Sequence, residues 1–467
     1  MEYRDKKVTD LQIAYIGGGS RGWAWGLMAD LAMEEQLSGT MKLYDIDRKA
    51  AECNAIIGNR LSADAETKGK WDYQVADSLA EALTGADFIV ISILPGTFEE
   101  MAVDVHAPEK YGIYQSVGDT AGPGGMIRAL RTLPMFIEFA KAIKACAPDA
   151  WVINYTNPMS LCVKTLYQVF PEIKAFGCCH EVFGTQKVLK EILRQETGIR
   201  NVNRNEIIVN VLGINHFTWF DQASYQGMDL FPVYRSYIEK HFKEGLDEPD
   251  KNWANYMFEC SHRVKFDLFN RYGLIAAAGD RHLAEFMPGN LYLKDPATVA
   301  EWKFALTTVE WRKEDLLKRL EKSARLVSGE EKIELKGSGE EGILLIKALL
   351  GLHRMISNVN IPNTNKQIGN LPESAMVETN AVFERDAIRP VFAGRIPDSI
   401  LQLMEPHIIN HERILKAALT CSRGLVKAAF EEDPLIKDRI STAEISMLVD
   451  DMVDRTSAYL PAGWKTR

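Results

Sequence analysis

The chain has 467 residues, more than one hydrophobic core normally accommodates, so its length predicts two domains or three. Its composition, 46% hydrophobic and 25% charged residues, is typical of a globular enzyme. The formal net charge of −9 argues against nucleic acid or an anionic membrane as the main partner.

Near the start of the chain, a short apolar run ends in a glycine-rich turn. Residues 13–16 predict a strand, and the turn that follows places glycines at Gly17, Gly19 and Gly22 before helix-compatible sequence. These glycines permit a tight turn, a close approach of the backbone to a pyrophosphate, and close packing of helix on strand. Asp45, which ends the next predicted strand, is placed to bind a ribose 2′-hydroxyl and to disfavour a 2′-phosphate. The pattern predicts NAD rather than NADP; a glycine turn without a ligand is the alternative.

Up to about residue 190, predicted strands and helices alternate, which is typical of a parallel, doubly wound sheet. We therefore predict a Rossmann-like NAD-binding domain over residues 1–200. The alternation then fades, and residues 201–467 are predicted to form an α+β domain for substrate, metal and oligomerisation. There a helix is expected over residues 342–356 and a strand over residues 377–383. Ligands of such sheets bind beyond the carboxyl ends of the strands, so the strand exits are the candidate site.

Two of these exits carry residues that bind transition metals. Cys179-His180 follows the strand near residue 175, and Asn215-His216 follows another strand-like run. A thiolate and an imidazole can together hold a divalent metal and leave positions open for substrate oxygens. A buried thiol and a hydrogen-bonded histidine are the alternative, and spacing alone does not decide between them.

Three other segments are candidates for contacts with a polar substrate. The glycine-rich stretch 115–125 brings Asp119 and Thr120, either as an active-site loop or only as a crossover. Asn157 lies at a strand exit before a proline, where it either binds a ligand or supports the turn. Residues 279–285 collect several charges in what is otherwise a solvated turn. Its candidates are Asp280 as a general base and Arg281 and His282 as partners of an anionic group.

Cysteine usage and apolar runs indicate the compartment. The seven cysteines are an odd number, and Cys178 and Cys179 are adjacent, so no disulfide framework is evident. Reduced thiols are typical of the cytoplasm. The first residues lack the apolar core of a signal peptide, and the apolar run at residues 88–94 is too short to span a bilayer. We expect a soluble, cytoplasmic protein.

Taken in order, these motifs resemble glycoside hydrolase family 4, the NAD- and metal-dependent glycosidases, and within it most closely the α-galacturonidases. The resemblance spans nearly the whole chain. The segments that carry it are residues 16–20, 118–125, 128–131, 154–159, 177–180, 213–216, 358–363, 370–372 and 377–378. One departure is that other branches carry a basic residue after the strand ending near Ile93, where this sequence has Leu94.

The resemblance implies a role for each matching residue. Cys179 and His216 would ligate Mn²⁺, His180 would donate a proton to the leaving group, and Asp280 would be the base. Asn157, Asp119, Arg281 and His282 are the predicted substrate contacts. Gly17, Gly19, Ser20, Gly22, Asp45, Ser92 and Asn157 are the predicted cofactor contacts. The arrangement of domains would be similar to that of the lactate and malate dehydrogenases, and the assembly a homodimer or homotetramer.

The family's chemistry is an exception to the usual scheme of two carboxylates. NAD⁺ oxidises C3 of the sugar, which acidifies the C2 proton; elimination, addition of water and return of the hydride follow. The prediction is therefore an NAD- and Mn²⁺-dependent glycosidase of α-linked galacturonic acid. Alternatives are an α-glucuronidase or α-galactosidase of the same family, an NAD-dependent sugar or 2-hydroxyacid dehydrogenase, and a non-catalytic regulator that responds to NAD.

Overall fold

A computed structural model describes residues 1–246 and 260–465 of the chain. Six parallel strands form the centre of its main sheet: β2 (Lys7–Ile16), β3 (Leu37–Tyr44), β4 (Trp71–Val75), β5 (Phe88–Ile91), β6 (Trp151–Asn154) and β7 (Lys174–Gly177). Their spatial order is β4-β3-β2-β5-β6-β7, the order of a Rossmann dinucleotide-binding sheet. The predicted Rossmann-like α/β fold is confirmed. A short strand, β1 (Glu2–Arg4), pairs antiparallel with β2.

Helices connect the parallel strands and cover the sheet. They are α1 (Trp23–Met33), α2 (Arg48–Ala63), α3 (Leu79–Leu83), α4 (Phe98–His106), α5 (Gly122–Cys146), α6 (Met159–Val169) and α7 (Glu181–Thr197). The four residues of β5 are all buried, because apolar clusters pack on both faces of the strand. This accounts for the continuous apolar run in its sequence. The strand therefore ends rigidly at the edge where the glycine loop and Ser92 lie.

Beyond residue 200, a second, antiparallel sheet contains β8 (Ile207–Ile214), β9 (Phe217–Tyr225), β10 (Met228–Asp229) and β11 (Ile275–Ala276). Strand β9 pairs with the three others. The hairpin between β8 and β9 turns at Asn215-His216, where His216 has a φ of 63°. This turn places His216 at the edge of the sheet. Its positive φ is rare for a residue other than glycine.

The helices of this half include α8 (Phe231–His241), α9 (Arg263–Tyr272), α10 (Asp280–Phe286), α11 (Gly289–Tyr292), α12 (Pro296–Glu301), α13 (Val309–Ser328) and α14 (Gly342–Leu349). The C-terminal helices are α15 (Asp398–Thr420), α16 (Arg423–Glu432) and α17 (Thr442–Arg455). They pack, together with α5, around the largest apolar cluster. In the part of the chain that the structure describes, none of the helices combines the length and the hydropathy that a membrane span requires.

Three late strands extend the main sheet. Strand β12 (Met355–Pro362) pairs antiparallel with β7 and with β13 (Met376–Glu384), and β14 (Ala387–Pro390) forms the edge. The strand predicted at residues 377–383 is thus present. The helix predicted over residues 342–356 ends at Leu349, because Gly351 adopts a left-handed φ of 77° and β12 then begins. The sheet crosses the predicted domain division at residue 200, which stays a prediction.

Candidate active site

The turn between β2 and α1 has the backbone geometry of a dinucleotide-binding loop. Gly17 has a φ of 91°, and a Cβ atom there would lie 2.0 Å from the carbonyl oxygen of Ser92. A Cβ atom at Gly19 would lie 2.9 Å from Oδ2 of Asp45. Neither position can carry a side chain without displacing its neighbours. The loop therefore leaves its backbone open to a pyrophosphate at the N-terminus of α1.

The acid predicted for the ribose lies at this loop. Oδ2 of Asp45 accepts a hydrogen bond from the Gly19 N–H at 2.8 Å, and Oδ1 accepts one from Asp47 N–H at 2.9 Å. Burial raises the pKa of Asp45, and these two hydrogen bonds oppose the shift. Burial raises the pKa of Tyr15, and Ser92, at the exit of β5, opposes this shift.

Asn54 holds the same loop from helix α2, a role that the sequence did not reveal. Its Nδ2 donates to the carbonyl oxygens of Gly18 at 2.7 Å and Ser20 at 3.0 Å. Its Oδ1 accepts from Trp25 Nε1 at 2.9 Å. An asparagine within a helix carries no sequence signal for such a contact.

Aromatic rings lead from this loop to His180. The ring centroids of Trp23 and Tyr155 are 5.6 Å apart, and those of Trp23 and His180 are 6.3 Å apart. Nδ1 of His180 lies 2.9 Å from a carboxylate oxygen of Glu340, a residue that the sequence reading missed. Burial lowers the pKa of His180, but the charge and hydrogen bond of Glu340 outweigh burial and raise the pKa to about 9. His180 is therefore protonated at neutral pH and can donate a proton.

A cluster of one carboxylate and two imidazoles lies further along the cleft. Asp119, His216 and His282 offer ligand atoms that all lie within 4.8 Å of one another. The two imidazole centroids are 3.8 Å apart. Burial lowers the pKa of His216 to about 3 and also lowers that of His282, so both rings are neutral at pH 7. A carboxylate with two neutral imidazoles is a donor set that suits Mn²⁺ and other divalent transition metals.

Three residues position the carboxylate of this cluster. Thr120 Oγ1 donates to Asp119 at 2.8 Å and lies 3.0 Å from Nδ1 of His216. Arg128 donates its Nε–H to the carbonyl oxygen of Asn157 at 3.0 Å. Burial disfavours the charged form of Asp119, but Arg128 and the histidines outweigh burial and hold the pKa of this carboxyl well below its usual range. Oδ1 of Asn157 is buried without a hydrogen-bond partner among the described residues, as expected of an atom that binds a ligand.

Glu181 connects the cluster to His180. It is the first residue of α7, and Oε2 accepts the Gly279 N–H at 2.6 Å. Oε1 lies 3.8 Å from Nε2 of His180 and 3.9 Å from Nε2 of His282. Burial opposes its ionisation, but His282 and His180 outweigh burial and lower the pKa of Glu181 to about 2. One ionised carboxylate thus joins the proton donor and the histidine cluster in a single site.

Cys179 lies near the histidine cluster but belongs to neither group of three potential ligands found in residues 1–246 and 260–465. Its side chain packs with Met159, Val163 and Met376. Its carbonyl oxygen accepts from Asn358 at 3.1 Å. The pairing of Cys179 with His216 on one metal stays a prediction.

Glu378 ties the two predicted metal ligands together through their neighbours. Its carboxylate accepts from Asn358 Nδ2 at 2.6 Å, which also contacts Cys179, and from Asn215 Nδ2 at 3.2 Å, next to His216. Glu378 is buried, and burial raises its pKa to about 7.

Asp280 faces the start of helix α9. Its two oxygens accept the backbone N–H groups of Val264 and Lys265, both at 3.1 Å. It also forms the second group of three potential ligands, with Cys260 and His262. Burial raises its pKa, and His262, Lys265 and the two backbone hydrogen bonds oppose this shift. The contacts place Asp280 as a helix cap beside the site, and its role as base stays a prediction.

The next helix, α10, anchors the loop that carries Asp119. Oε1 of Glu285 accepts the N–H groups of Val117 at 2.6 Å and Gly118 at 2.8 Å. Arg281 donates to the carbonyl oxygen of Ser116 at 2.9 Å. The segment 279–285 is therefore not a solvated turn, and the loop 115–125 is more than a crossover.

The fold and this site define an enzyme of the dinucleotide-binding α/β class with a polar, metal-competent cleft. Two family models place it more closely: "Family 4 glycosyl hydrolase" matches residues 12–195, and the "Family 4 glycosyl hydrolase C-terminal domain" matches residues 211–436. The chain belongs to glycosyl hydrolase family 4, and the predicted family is confirmed.

Relatives match over the full length. An alpha-galacturonidase of Lachnoclostridium phytofermentans is 68% identical, with 99% of this chain and 100% of the relative covered. An alpha-galacturonidase of Bacillus subtilis is 49% identical, with 96% of this chain and 97% of the relative covered. A solved 6-phospho-alpha-glucosidase from gut microorganisms, in complex with NAD and Mn²⁺, is 20% identical with a TM-score of 0.79, covering 97% of this chain and 99% of that one. At that identity it supports the fold alone.

Proposed function

We propose that this protein is an α-galacturonidase that hydrolyses α-linked galacturonic acid with NAD and Mn²⁺. The observation that carries the proposal is the joining of His180 to the Asp119–His216–His282 cluster through Glu181, next to the dinucleotide loop. The sugar assignment is supported by four full-length relatives named alpha-galacturonidase, which are 49% to 68% identical to this chain.

The chain's residues fit both cofactors. Gly17, Gly19, Ser20, Gly22 and the strand exits would hold NAD, with Asp45 on the ribose, because the loop has no room for side chains. His216 and Cys179 are the proposed metal ligands, and Asp119 and His282 lie close enough to His216 to complete the set. When bound, NAD⁺ would supply an acceptor and donor of hydride for C3, and Mn²⁺ would supply a Lewis acid for the neighbouring hydroxyl oxygens.

The chain's own residues move the protons. His180 is proposed to protonate the glycosidic oxygen, because Glu340 holds its ring at Nδ1 and keeps it charged at neutral pH. Asp280 is proposed to accept the C2 proton, consistent with its raised pKa. Asn157, Asp119, Arg281 and His282 are proposed to orient the sugar; Oδ1 of Asn157 and Nδ1 of His282 are buried without partners among the described residues.

A panel of p-nitrophenyl glycosides tests this function. With NAD⁺, Mn²⁺ and a reducing agent, we expect release of p-nitrophenol from the α-D-galacturonide in preference to the α-D-glucuronide and the α-D-galactoside. Absorbance of NADH should stay constant during turnover, since the hydride is returned. Net formation of NADH would instead indicate a dehydrogenase, and the absence of turnover with every glycoside would indicate a non-catalytic NAD-binding protein.

The setting of the enzyme is also a proposal. We propose a cytoplasmic homodimer or homotetramer. Ile409, Leu419 and Met447, on the C-terminal helices, are exposed apolar side chains that an interface between copies would bury. Light scattering coupled to size-exclusion chromatography would measure the mass, and a monomer would contradict the proposal.

A further inference from the structure

Helix α13 begins against the loop that carries Asp119. Just before the helix, the Thr307 N–H donates to the carbonyl oxygen of Ser116 at 3.1 Å. At its first residue, the Val309 N–H donates to Nε2 of His106 at 3.2 Å. The first turn of α13 is therefore fixed beside the candidate active site, and Arg312 lies in that turn.

The same face of α13 reaches the dinucleotide loop. Arg319 lies about two helical turns beyond Arg312 and so on the same side of the helix. Its guanidinium donates to the carbonyl oxygen of Arg21 at 2.8 Å, and Asp315 holds it at 2.5 Å. Because Arg319 on this side of the helix reaches Arg21, and because the charges of Asp119 and Arg128 act on Arg312, Arg312 lies on the side of α13 that borders the cleft.

Arg312 carries a positive charge that no described residue pairs with. Its side chain is partly buried. Burial lowers its pKa, Asp119 opposes this shift, and the charge of Arg128 adds to it. Across residues 1–246 and 260–465, its guanidinium has no hydrogen-bond or ion-pair partner. A partly desolvated guanidinium without a partner is costly unless an anion binds to it.

The other arginines near the site are engaged. Arg131 is fully buried and binds Asp104 with two hydrogen bonds, at 3.0 Å and 2.6 Å. Arg281 donates to Ser116, and Arg128 is buried on the carbonyl oxygen of Asn157. Arg312 is thus the arginine best placed to bind a carboxylate from outside the protein.

We propose that Arg312 binds the C6 carboxylate of the uronic acid and is the residue that favours a uronide over a neutral hexoside. The inference rests on the proposed function. It is consistent with Leu94, an apolar residue after strand β5 that offers no charge to a carboxylate. Helix α13 is bound to α4, the helix that follows this position, through Lys313 and Glu99 at 2.6 Å. Arg312 on α13 would therefore supply a positive charge near the exit of β5, where Leu94 supplies none.

The test compares two substrates that differ only at C6, p-nitrophenyl α-D-galacturonide and p-nitrophenyl α-D-galactoside. In Arg312→Gln, we expect kcat/KM for the galacturonide to fall by roughly 10- to 100-fold, mainly through KM, because a charge-assisted contact is lost. Activity on the galactoside should not fall. Arg312→Lys should lose less, since it keeps the charge but not the bidentate geometry.

Binding provides a readout without turnover. By calorimetry with NAD⁺ and Mn²⁺ present, Arg312→Gln should bind galacturonic acid at least about 10-fold more weakly than the wild type, with no loss of affinity for galactose. Lys318→Gln is the matched control, because it removes one cation from the exposed side of the same helix. Its kinetics and binding should equal those of the wild type.

An unchanged preference for galacturonic acid in Arg312→Gln, or equal losses for the acid and neutral sugars, would overturn the role of Arg312. A wild-type enzyme that neither cleaves the galacturonide nor binds galacturonic acid would instead overturn the proposed function. The two failures are therefore distinguishable.

Discussion

The carboxyl group of Glu285 holds the loop that brings Asp119 and Thr120 to the histidine cluster. Replacing it by alanine tests its hydrogen bonds to the loop, and replacing it by glutamine tests its ionisation. Oε1 accepts the N–H groups of Val117 at 2.6 Å and Gly118 at 2.8 Å in a fully buried position. Glu285→Ala leaves both donors unsatisfied, at about 1–3 kcal/mol each. We expect it to lower the free energy of unfolding by about 2–6 kcal/mol and to abolish activity. Glu285→Gln retains an oxygen that accepts these hydrogen bonds, so it should retain most of the stability and most of the activity.

The pH dependence of the free energy of unfolding distinguishes a glutamate at position 285, which titrates, from a glutamine, which does not. Burial raises the pKa of Glu285 from 4.5 to about 8. Below the ordinary value, both the folded and the unfolded chain are protonated, so the stabilising contribution is complete. As pH rises toward the folded-state pKa, the unfolded chain gives up its proton first, and this contribution is lost. Gln does not titrate and should not show this loss.

Urea unfolding followed by tryptophan fluorescence, at about pH 5 and about pH 8, measures the effect. The stability of Glu285→Gln relative to the wild type should increase on the order of 3 kcal/mol across this interval. Equal pH dependence in the two proteins would refute the assignment of a buried, neutral carboxyl. Equal stability of the Ala and Gln variants would refute its role as the anchor of the loop.

Two further predictions concern the cofactor and the base. Asp45→Ala should weaken NAD binding by roughly 10- to 100-fold and reduce the preference for NAD over NADP, because it removes the proposed ribose contact and the hydrogen bond from Gly19. Fluorescence titration measures both affinities, and unchanged affinities in the variant would contradict this role. Asp280→Asn should bind NAD and Mn²⁺ normally yet fail to exchange the C2 proton with solvent. Full exchange would remove Asp280 as the base, and Glu181→Gln would then test Glu181, the carboxylate that lies near both His180 and His282.

The N-terminal fold was predictable because its signals are local. Each strand that ends in a glycine or polar exit is readable from a short window, and the strand at residues 377–383 was found in the same way. The pairing of β12 with β7 was not predictable, since it joins residues far apart in sequence through the single register pair Asn360 and Gly177. The late strands therefore appeared to belong to a separate domain.

The site was predictable where a residue lies at a strand exit or in a segment of unusual composition. His180 and His216 follow strands, Asp119 lies in the glycine-rich stretch, and the structure brings them into one cleft. Glu340 and Glu378 were missed as site residues, because nothing in the local sequence tells a glutamate that reaches His180 or bridges two asparagines from an exposed one. Trp23 and Trp25 both follow the glycine-rich turn, but the ring of Trp23 lies beside His180, while Nε1 of Trp25 donates a hydrogen bond to Asn54.

The metal assignment can be checked with two variants. Cys179→Ala and His216→Ala should lose Mn²⁺ affinity while keeping NAD affinity, because both residues are the proposed ligands and neither touches the dinucleotide loop. Equilibrium dialysis with metal analysis measures this. Retention of Mn²⁺ by Cys179→Ala, with loss in His216→Ala and Asp119→Asn, would shift the assignment to the Asp119–His216–His282 cluster alone.

The central claim is that NAD and the proton-transfer groups act on the same sugar ring. It is tested most directly by hydrolysing p-nitrophenyl α-D-galacturonide in deuterium oxide and locating deuterium in the galacturonic acid by NMR. Oxidation at C3 makes the C2 proton exchangeable, so the product should carry deuterium at C2, and none should appear when the product alone is incubated without enzyme. Hydrolysis that proceeds with hydrogen fully retained at C2 would contradict the account.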